Sequence, residues 1–150
     1  MREGLSLIKF FEGFRSNAYL CPAGIPTYGY GETKGVRLGM SITEPDALAL
    51  LDSRYDEFEA QVQALLRVDV TANQLGALTS FAYNLGTGNL KKSSLLRSLN
   101  SSKESEAAEG FLKWAYARDP HTHQLVVLPG LLKRRGAEHD LFLKADEVVQ

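Results

Sequence analysis

Residues 41–68, "SITEPDALALLDSRYDEFEAQVQALLRV", restrict the fold more than any other stretch of the chain. Leu48, Leu51, Tyr55, Phe58, Val62, Leu65 and Leu66 recur at spacings of three and four, the period of one helix face. Thr43 stands where an N-cap would, three residues before Asp46, and Pro45 is tolerated in a first turn. At about 1.5 Å per residue, such a helix outruns one small core. It reads as a link between two lobes.

The segments on either side differ in kind. Leu5, Ile8 and Phe11 at a spacing of three predict a short amphipathic helix over Arg2–Phe11. Residues 18–39 then carry the β-prone runs "AYL", "IPTYGYG" and "VRLG", broken by Pro and Gly, which suits a small twisted sheet. Beyond the long helix, "VTANQLGALTSFAYNLGTG" opens with a capping box, Thr71 and Gln74, and closes at Gly86. Its thin polar face predicts a buried helix. Shorter helices follow at about Ser93–Leu99, at Lys103–Ala117 with the single Trp, and at Pro129–Lys144, with "RDPHTHQ" as a polar turn. The class is α+β: a sheet lobe at about 13–42, a linking helix at 43–67, and a helical lobe at 68–146 that takes in the N-terminal helix.

Composition removes several functions. A chain of 150 residues suits one domain, and a net charge of -1 gives no field for nucleic acid. Residues 71–150 hold 10 Lys+Arg against 8 Asp+Glu; much of that excess is Lys133-Arg134-Arg135, which reads as a solvated helix face. One cysteine makes no internal disulfide. No run approaches the roughly 18 apolar residues of a membrane span, and "MREGLSLIKFFEGF" is too charged for a signal peptide. The expectation is a soluble protein that stays in the cytoplasm until released.

The chemistry gathers in "FEGFRSNAYLCPAGIPTYGYGET", residues 11–33. Glu12 falls at the end of the first helix beside Phe10, Phe11 and Phe14. A carboxyl among aromatic rings is poorly solvated, which favours the protonated form that a general acid needs. A helix C-terminus is also a poor place for a negative charge, so the position asks for a specific role. Taken singly, Cys21 reads as a small buried apolar residue and Thr27 as an ordinary strand residue. His121 and His123 read as surface-loop residues, since no acidic or cysteine partners stand at ligand spacing, and no metal or cofactor is expected. Trp114 follows Phe111 at helical spacing and reads as core.

Glu12, eight residues, Cys21, five residues, Thr27 and then "GYG" resembles the active-site pattern of the phage-type lysozymes, the endolysin muramidases of the T4 lysozyme family, glycoside hydrolase family 24. The resemblance runs over about residues 4–144. "LIKFFEGFRSNAYLCPAG" resembles the family's opening and "GVRLGMSITEPDALALL" its entry to the interlobe helix. "TANQLGALTSFAYNLGTGNLKKSSLLRSLN" resembles its central helices, and "LPGLLKRRGAEHDLF" the last helix of the phage-21 and P22-like branch. It implies one lysozyme-like domain, 1–150, and hydrolysis of the β-1,4 bond between N-acetylmuramic acid and N-acetylglucosamine in peptidoglycan.

In that reading Glu12 is the general acid, and Cys21 (aspartate in many relatives) and Thr27 activate or position water. Tyr28, Tyr30, Asn84, Gly86 and Thr87 would contact substrate. An arginine of the last helix would hold the acid, Arg135 as first choice and Arg134 as second. The resemblance also implies a monomer that waits in the host cytoplasm for a holin and then attacks the wall from the periplasm. Relatives in this branch often carry an N-terminal membrane-tethering segment, whereas here the first helix begins within a few residues of Met1.

One position departs from the pattern: Glu32 stands where relatives commonly have a histidine, and Lys34 or solvent would be its partner. Direct attack by the Cys21 sulfur, with retention, is open beside water activation. Two other readings stand next to the muramidase. A lytic transglycosylase would give anhydro products, and a non-catalytic peptidoglycan-binding module would sediment with walls without clearing them.

Overall fold

The computed structural model describes residues 2–145, 148 and 149. The chain starts with helix α1, Glu3–Glu12, and continues into strands β1, Arg15–Leu20, and β2, Pro26–Gly29, which form an antiparallel hairpin. The third β-prone run, "VRLG", is not a strand; it is folded into turns closed by Val36 N–H to Thr33 O and Met40 N–H to Arg37 O. The chain just after it takes that place beside β1, through Ala18 N–H to Met40 O and Ile42 N–H to Ser16 O.

Helix α2, Glu44–Leu65, is the long helix, with Thr43 Oγ1 accepting from Asp46 N–H. Its apolar stripe is divided between two cores. Ala47, Leu51 and Tyr55 pack with Ile8 and Tyr30 near the sheet. Val62 belongs with Leu78, Phe81, Phe111 and Phe142 in the helical core, with Phe58, Leu65 and Leu66 packed against it. Five buried residues make up the first cluster and sixteen the second, among those described. At roughly 1.5–3 kcal/mol per fully buried large apolar side chain, the helical core carries most of the burial energy.

Strand β3, Val70–Thr71, leads into α3, Ala72–Leu85, whose capping box forms as expected: Gln74 N–H to Thr71 Oγ1 at 3.0 Å and Thr71 N–H to Gln74 Oε1 at 2.9 Å. Asn73 through Ala82 are all buried. Short helices α4, Thr87–Lys92, and α5, Ser94–Asn100, follow, then α6, Glu104–Leu112. The expected helix to Ala117 ends five residues early, because Tyr116–Arg118 (β4) pairs with Leu125–Val127 (β5) across the "DPHTHQ" turn. His121 and His123 are exposed in that turn, and Trp114 packs edge-on against Phe81. Helix α7, Pro129–Leu143, closes the helical lobe, and β6, Val148–Val149, pairs with β3. Met1, Asp146, Glu147 and Gln150, including the expected lobe boundary at 146, lie outside the described residues.

The placement of α1 decides where Glu12 ends up. A Cβ added to Gly4 would lie 2.4 Å from Gly76 O and 2.6 Å from Tyr55 Oη, so α1 can cross α3 only backbone to backbone. That close crossing carries the C-terminal end of α1 between α7 and the sheet hairpin.

Candidate active site

Glu12 is the last residue of α1, and its side chain is about one-fifth exposed. Its two oxygens have different surroundings. Oε1 lies over Gly31, where a Cβ would stand 2.6 Å away, and Gly31 has φ +82°, a conformation that an L side chain rarely adopts. The second glycine of "GYG" is therefore required twice, for the turn and for the carboxylate above it. Oε2 accepts a 2.7 Å hydrogen bond from Arg134 Nη1. Phe10 does not join the aromatic enclosure expected around Glu12. Phe10 points to solvent, 78% exposed, while Phe11 stacks beneath the Arg134 guanidinium at 5.7 Å.

Arg135, expected to hold Glu12, does not; Arg134 does. Adjacent helical residues point about 100° apart, and the phase of α7 aims Arg134 at the end of α1 while Arg135 turns toward α3. Both guanidiniums are buried, so "KRR" is not a solvated face. Arg134 Nη2 also donates to Ser80 O at 3.2 Å, and Arg135 Nη2 donates to Asn84 Oδ1 at 2.8 Å. Glu138, one turn further along α7, is fully buried between the two arginines. Burial pushes its carboxyl above the ordinary value, and Arg135 and then Arg134 act against that.

Cys21 and Thr27 lie together at the hairpin end. Cys21 N–H and Thr27 Oγ1–H both donate to Ile25 O, at 3.0 and 2.8 Å, and Gly24 N–H closes the turn onto Cys21 O at 2.7 Å. Cys21 is a half-buried free thiol, and Thr27 is buried. The thiol is held below the ordinary cysteine value. The Ile25 backbone N–H is the main cause; a small desolvation opposes it, and the Ala23 N–H and the Thr27 hydroxyl add to it. The Thr27 hydroxyl has one proton and two acceptors within reach, Ile25 O and the Cys21 sulfur. It can therefore give its proton to one and offer lone pairs elsewhere.

Glu12 meets the same hairpin four residues beyond Thr27. Tyr28 and Glu32 exchange both backbone hydrogen bonds at 3.0 Å, folding the "YGYGE" loop back on itself so that Gly31 comes under Glu12. Glu32 is buried and meets neither the Lys34 side chain nor solvent. It forms an ion pair with Arg54 of α2, Nε to Oε2 at 2.9 Å, and accepts the Lys34 backbone N–H. Arg54 was not foreseen; its only signal was a cation beside the apolar stripe, three residues after Leu51.

Of the expected substrate contacts, Tyr28 is half-buried at the hairpin, but Tyr30 is core, packed on Phe14. Its carbonyl accepts from Tyr83 Oη at 2.6 Å, an anchor that sequence reasoning missed. Burial first, then the charges of Glu12 and Glu32, push the Tyr83 hydroxyl well above the ordinary tyrosine value. Asn84 gives its carbonyl to Arg135 and keeps its NH2, Gly86 caps α3, and Thr87 Oγ1 donates to Gln61 Oε1 at 2.6 Å. An open cleft of about 440 Å³ is lined by Gly31, Glu32, Lys34, Arg54, Phe58 and Tyr83.

Residues 9–138 match the phage lysozyme family, a span that holds Glu12, Cys21, Thr27 and Arg134. The chain belongs to the phage lysozyme family. Against the endolysin of Acyrthosiphon pisum secondary endosymbiont phage 1 it is 39% identical over 143 residues, covering 95% of this chain and 97% of that protein. Against the endolysin of Salmonella phage P22 it is 36% identical, covering 94% and 95%. The muramidase domain of SpmX from Asticaccaulis excentricus superposes with a TM-score of 0.90 at 37% identity over 97% of both chains. The enzyme is a lysozyme-type glycosidase with the α+β lysozyme architecture. Among the described residues, no helix is long and apolar enough to cross a membrane.

Proposed function

We propose that this phage lysozyme is an endolysin that hydrolyses the β-1,4 bond between N-acetylmuramic acid and N-acetylglucosamine in bacterial peptidoglycan. One observation carries the reading: the Glu12 carboxyl lies over Gly31, in the loop that continues directly from the strand bearing Thr27, and Cys21 is bonded to Ile25 in the turn that leads into that strand. A proton donor and a water-handling pair thus belong to one hairpin and the helix end that meets it.

Glu12 protonates the leaving glycosidic oxygen. Water enters from the opposite face of the sugar, oriented by a lone pair of Thr27, whose one proton goes to Ile25 O or to the Cys21 sulfur. Cys21 is the second partner of that water. An ordinary thiol is only a few per cent ionised at neutral pH, and the turn amides raise that fraction. Cys21 supplies less charge than an aspartate would, so Thr27 carries more of the orientation. The product is the inverted, α-configured reducing end. Tyr28, Asn84, Gly86 and Thr87 line the path of the glycan; Tyr30 acts from behind, through the loop it anchors. The protein works as a monomer on the wall, from the periplasmic side after a holin opens the inner membrane.

Turbidity clearing of outer-membrane-permeabilised cells, with product analysis, tests the reading. Glu12→Gln should lower the rate by about 10² to 10⁴-fold, the usual worth of a general acid. A Glu12→Gln protein that clears walls as fast as the parent refutes the assignment. Anhydro ends would replace hydrolysis by transglycosylation, and a retained β anomer would replace water attack by attack of the thiol.

A further inference from the structure

Glu138 is a fully buried carboxylate that the reaction just described does not use. Such a group is costly, and an apolar side chain would fill the space with less penalty. Its hydrogen bonds all fall on one oxygen. Ser80 Oγ donates to its Oε2 at 2.6 Å, Arg134 Nε at 3.3 Å, and Arg135 Nη2 at 3.2 Å. Arg135 Nε stands 2.7 Å from Oε1 as a charge contact too poorly aligned for a hydrogen bond.

The charges at this junction balance: Arg134 and Arg135 against Glu138 and Glu12. Arg134 is the shared member, with Nη1 on Glu12 and Nε on Glu138. Arg134 touches Glu12; behind it stand Arg135 and Glu138 of α7 with Ser80 and Asn84 of α3, and Tyr83 of α3 feels the charges of Glu12, Arg134 and the Glu32–Arg54 pair across the loop. That last pair carries no net charge. An unshared guanidinium at hydrogen-bond distance favours the charged form of a carboxyl, the opposite of what a proton donor needs.

We propose that Glu138 is a positioning residue that sets the working pH of Glu12 through Arg134, drawing part of the guanidinium's charge to itself so that Glu12 can carry a proton when substrate binds. This rests on the reading of Glu12 as the general acid. Arg135 is the counterweight: it occupies Glu138 and so limits how far Glu138 can relieve Arg134.

The two neighbours therefore predict opposite shifts. Glu138→Gln adds a net positive charge beside Glu12, and the alkaline limb of the kcat/KM profile should move to lower pH, on the order of one unit. Arg135→Gln keeps a donor for Asn84 and frees Glu138 to face Arg134 alone, so the limb should move to higher pH. A merely structural role lowers the melting temperature and the amplitude but leaves both limbs where the parent has them. Limbs that overlay after normalisation, or that move the same way in both variants, overturn the proposal. If Glu138→Gln does not fold, Arg135→Gln decides alone: a rise supports it, and no shift or a fall overturns it. Glu12→Gln in the same assay separates the two failures, because full activity there removes the acid itself and not its tuning.

Discussion

Glu12 and Cys21 belong to one proposed reaction, yet their supports are built in opposite ways. Behind Glu12 stand two buried guanidiniums and a fully buried carboxylate from α7, with Ser80 and Asn84 from α3, so that two helices far apart in sequence support it. Around Cys21 there is a five-residue turn whose backbone groups and one threonine hydroxyl do all the bonding. The proton donor is over-determined by tertiary structure. The water-handling pair is set by local chain geometry. Little else depends on the Cys21 side chain, whereas the acid's neighbourhood leaves no residue free to change alone.

The largest test of this contrast is removal of the shared cation. Arg134→Met leaves Glu12 and Glu138 without their bridge, and breaking a buried pair costs about 3–5 kcal/mol. At about 2–4 °C per kcal/mol for a chain of this size, the melting temperature should fall by roughly 10 °C. Thr27→Ala removes one hydroxyl–carbonyl bond and should cost only about 1 kcal/mol, although clearing slows. Equal losses in urea or thermal unfolding would erase the distinction between the two supports.

A smaller change sharpens it. Gly31→Ala forces an L side chain to φ +82° and places its Cβ against Glu12 Oε1. The backbone strain is worth about 1–2 kcal/mol. The displaced carboxyl should cost much more in rate, up to about 10²-fold for a shift near 1 Å. Clearing that falls no more than the folded fraction would mean that the contact does not position the acid.

The same contrast explains what could be read from the chain. The α2 stripe and the Thr71–Gln74 box are local patterns, and each stands as the spacing implied. The partners of Glu12 and Glu32 are 122 and 22 residues away, and their choice depends on helix phase. A one-residue error in phase is a turn of about 100°, enough to exchange Arg135 for Arg134. The β4–β5 hairpin escaped because three exposed apolar residues, Leu125–Val127, give no alternation against a polar face. Phe10 misled for a related reason: membership of an apolar run does not say which member faces out.

The smallest expected effect concerns Cys21, whose loss should barely alter stability. Cys21→Ala removes an accessible thiol with no ion pair, so a change within about 0.5 kcal/mol is expected. Its chemistry should still be unusual. Because the turn amides and the Thr27 hydroxyl favour the thiolate, the Cys21 pKa lies below the ordinary cysteine value. Alkylation follows the thiolate fraction, so labelling of the folded protein by iodoacetamide should persist to lower pH than labelling of the urea-unfolded chain. Thr27→Ala removes one contribution to that preference, and the labelling midpoint should move part of the way back up. If folded and unfolded chains titrate together, the turn does nothing for the thiol, and the water-handling role passes to Thr27 alone.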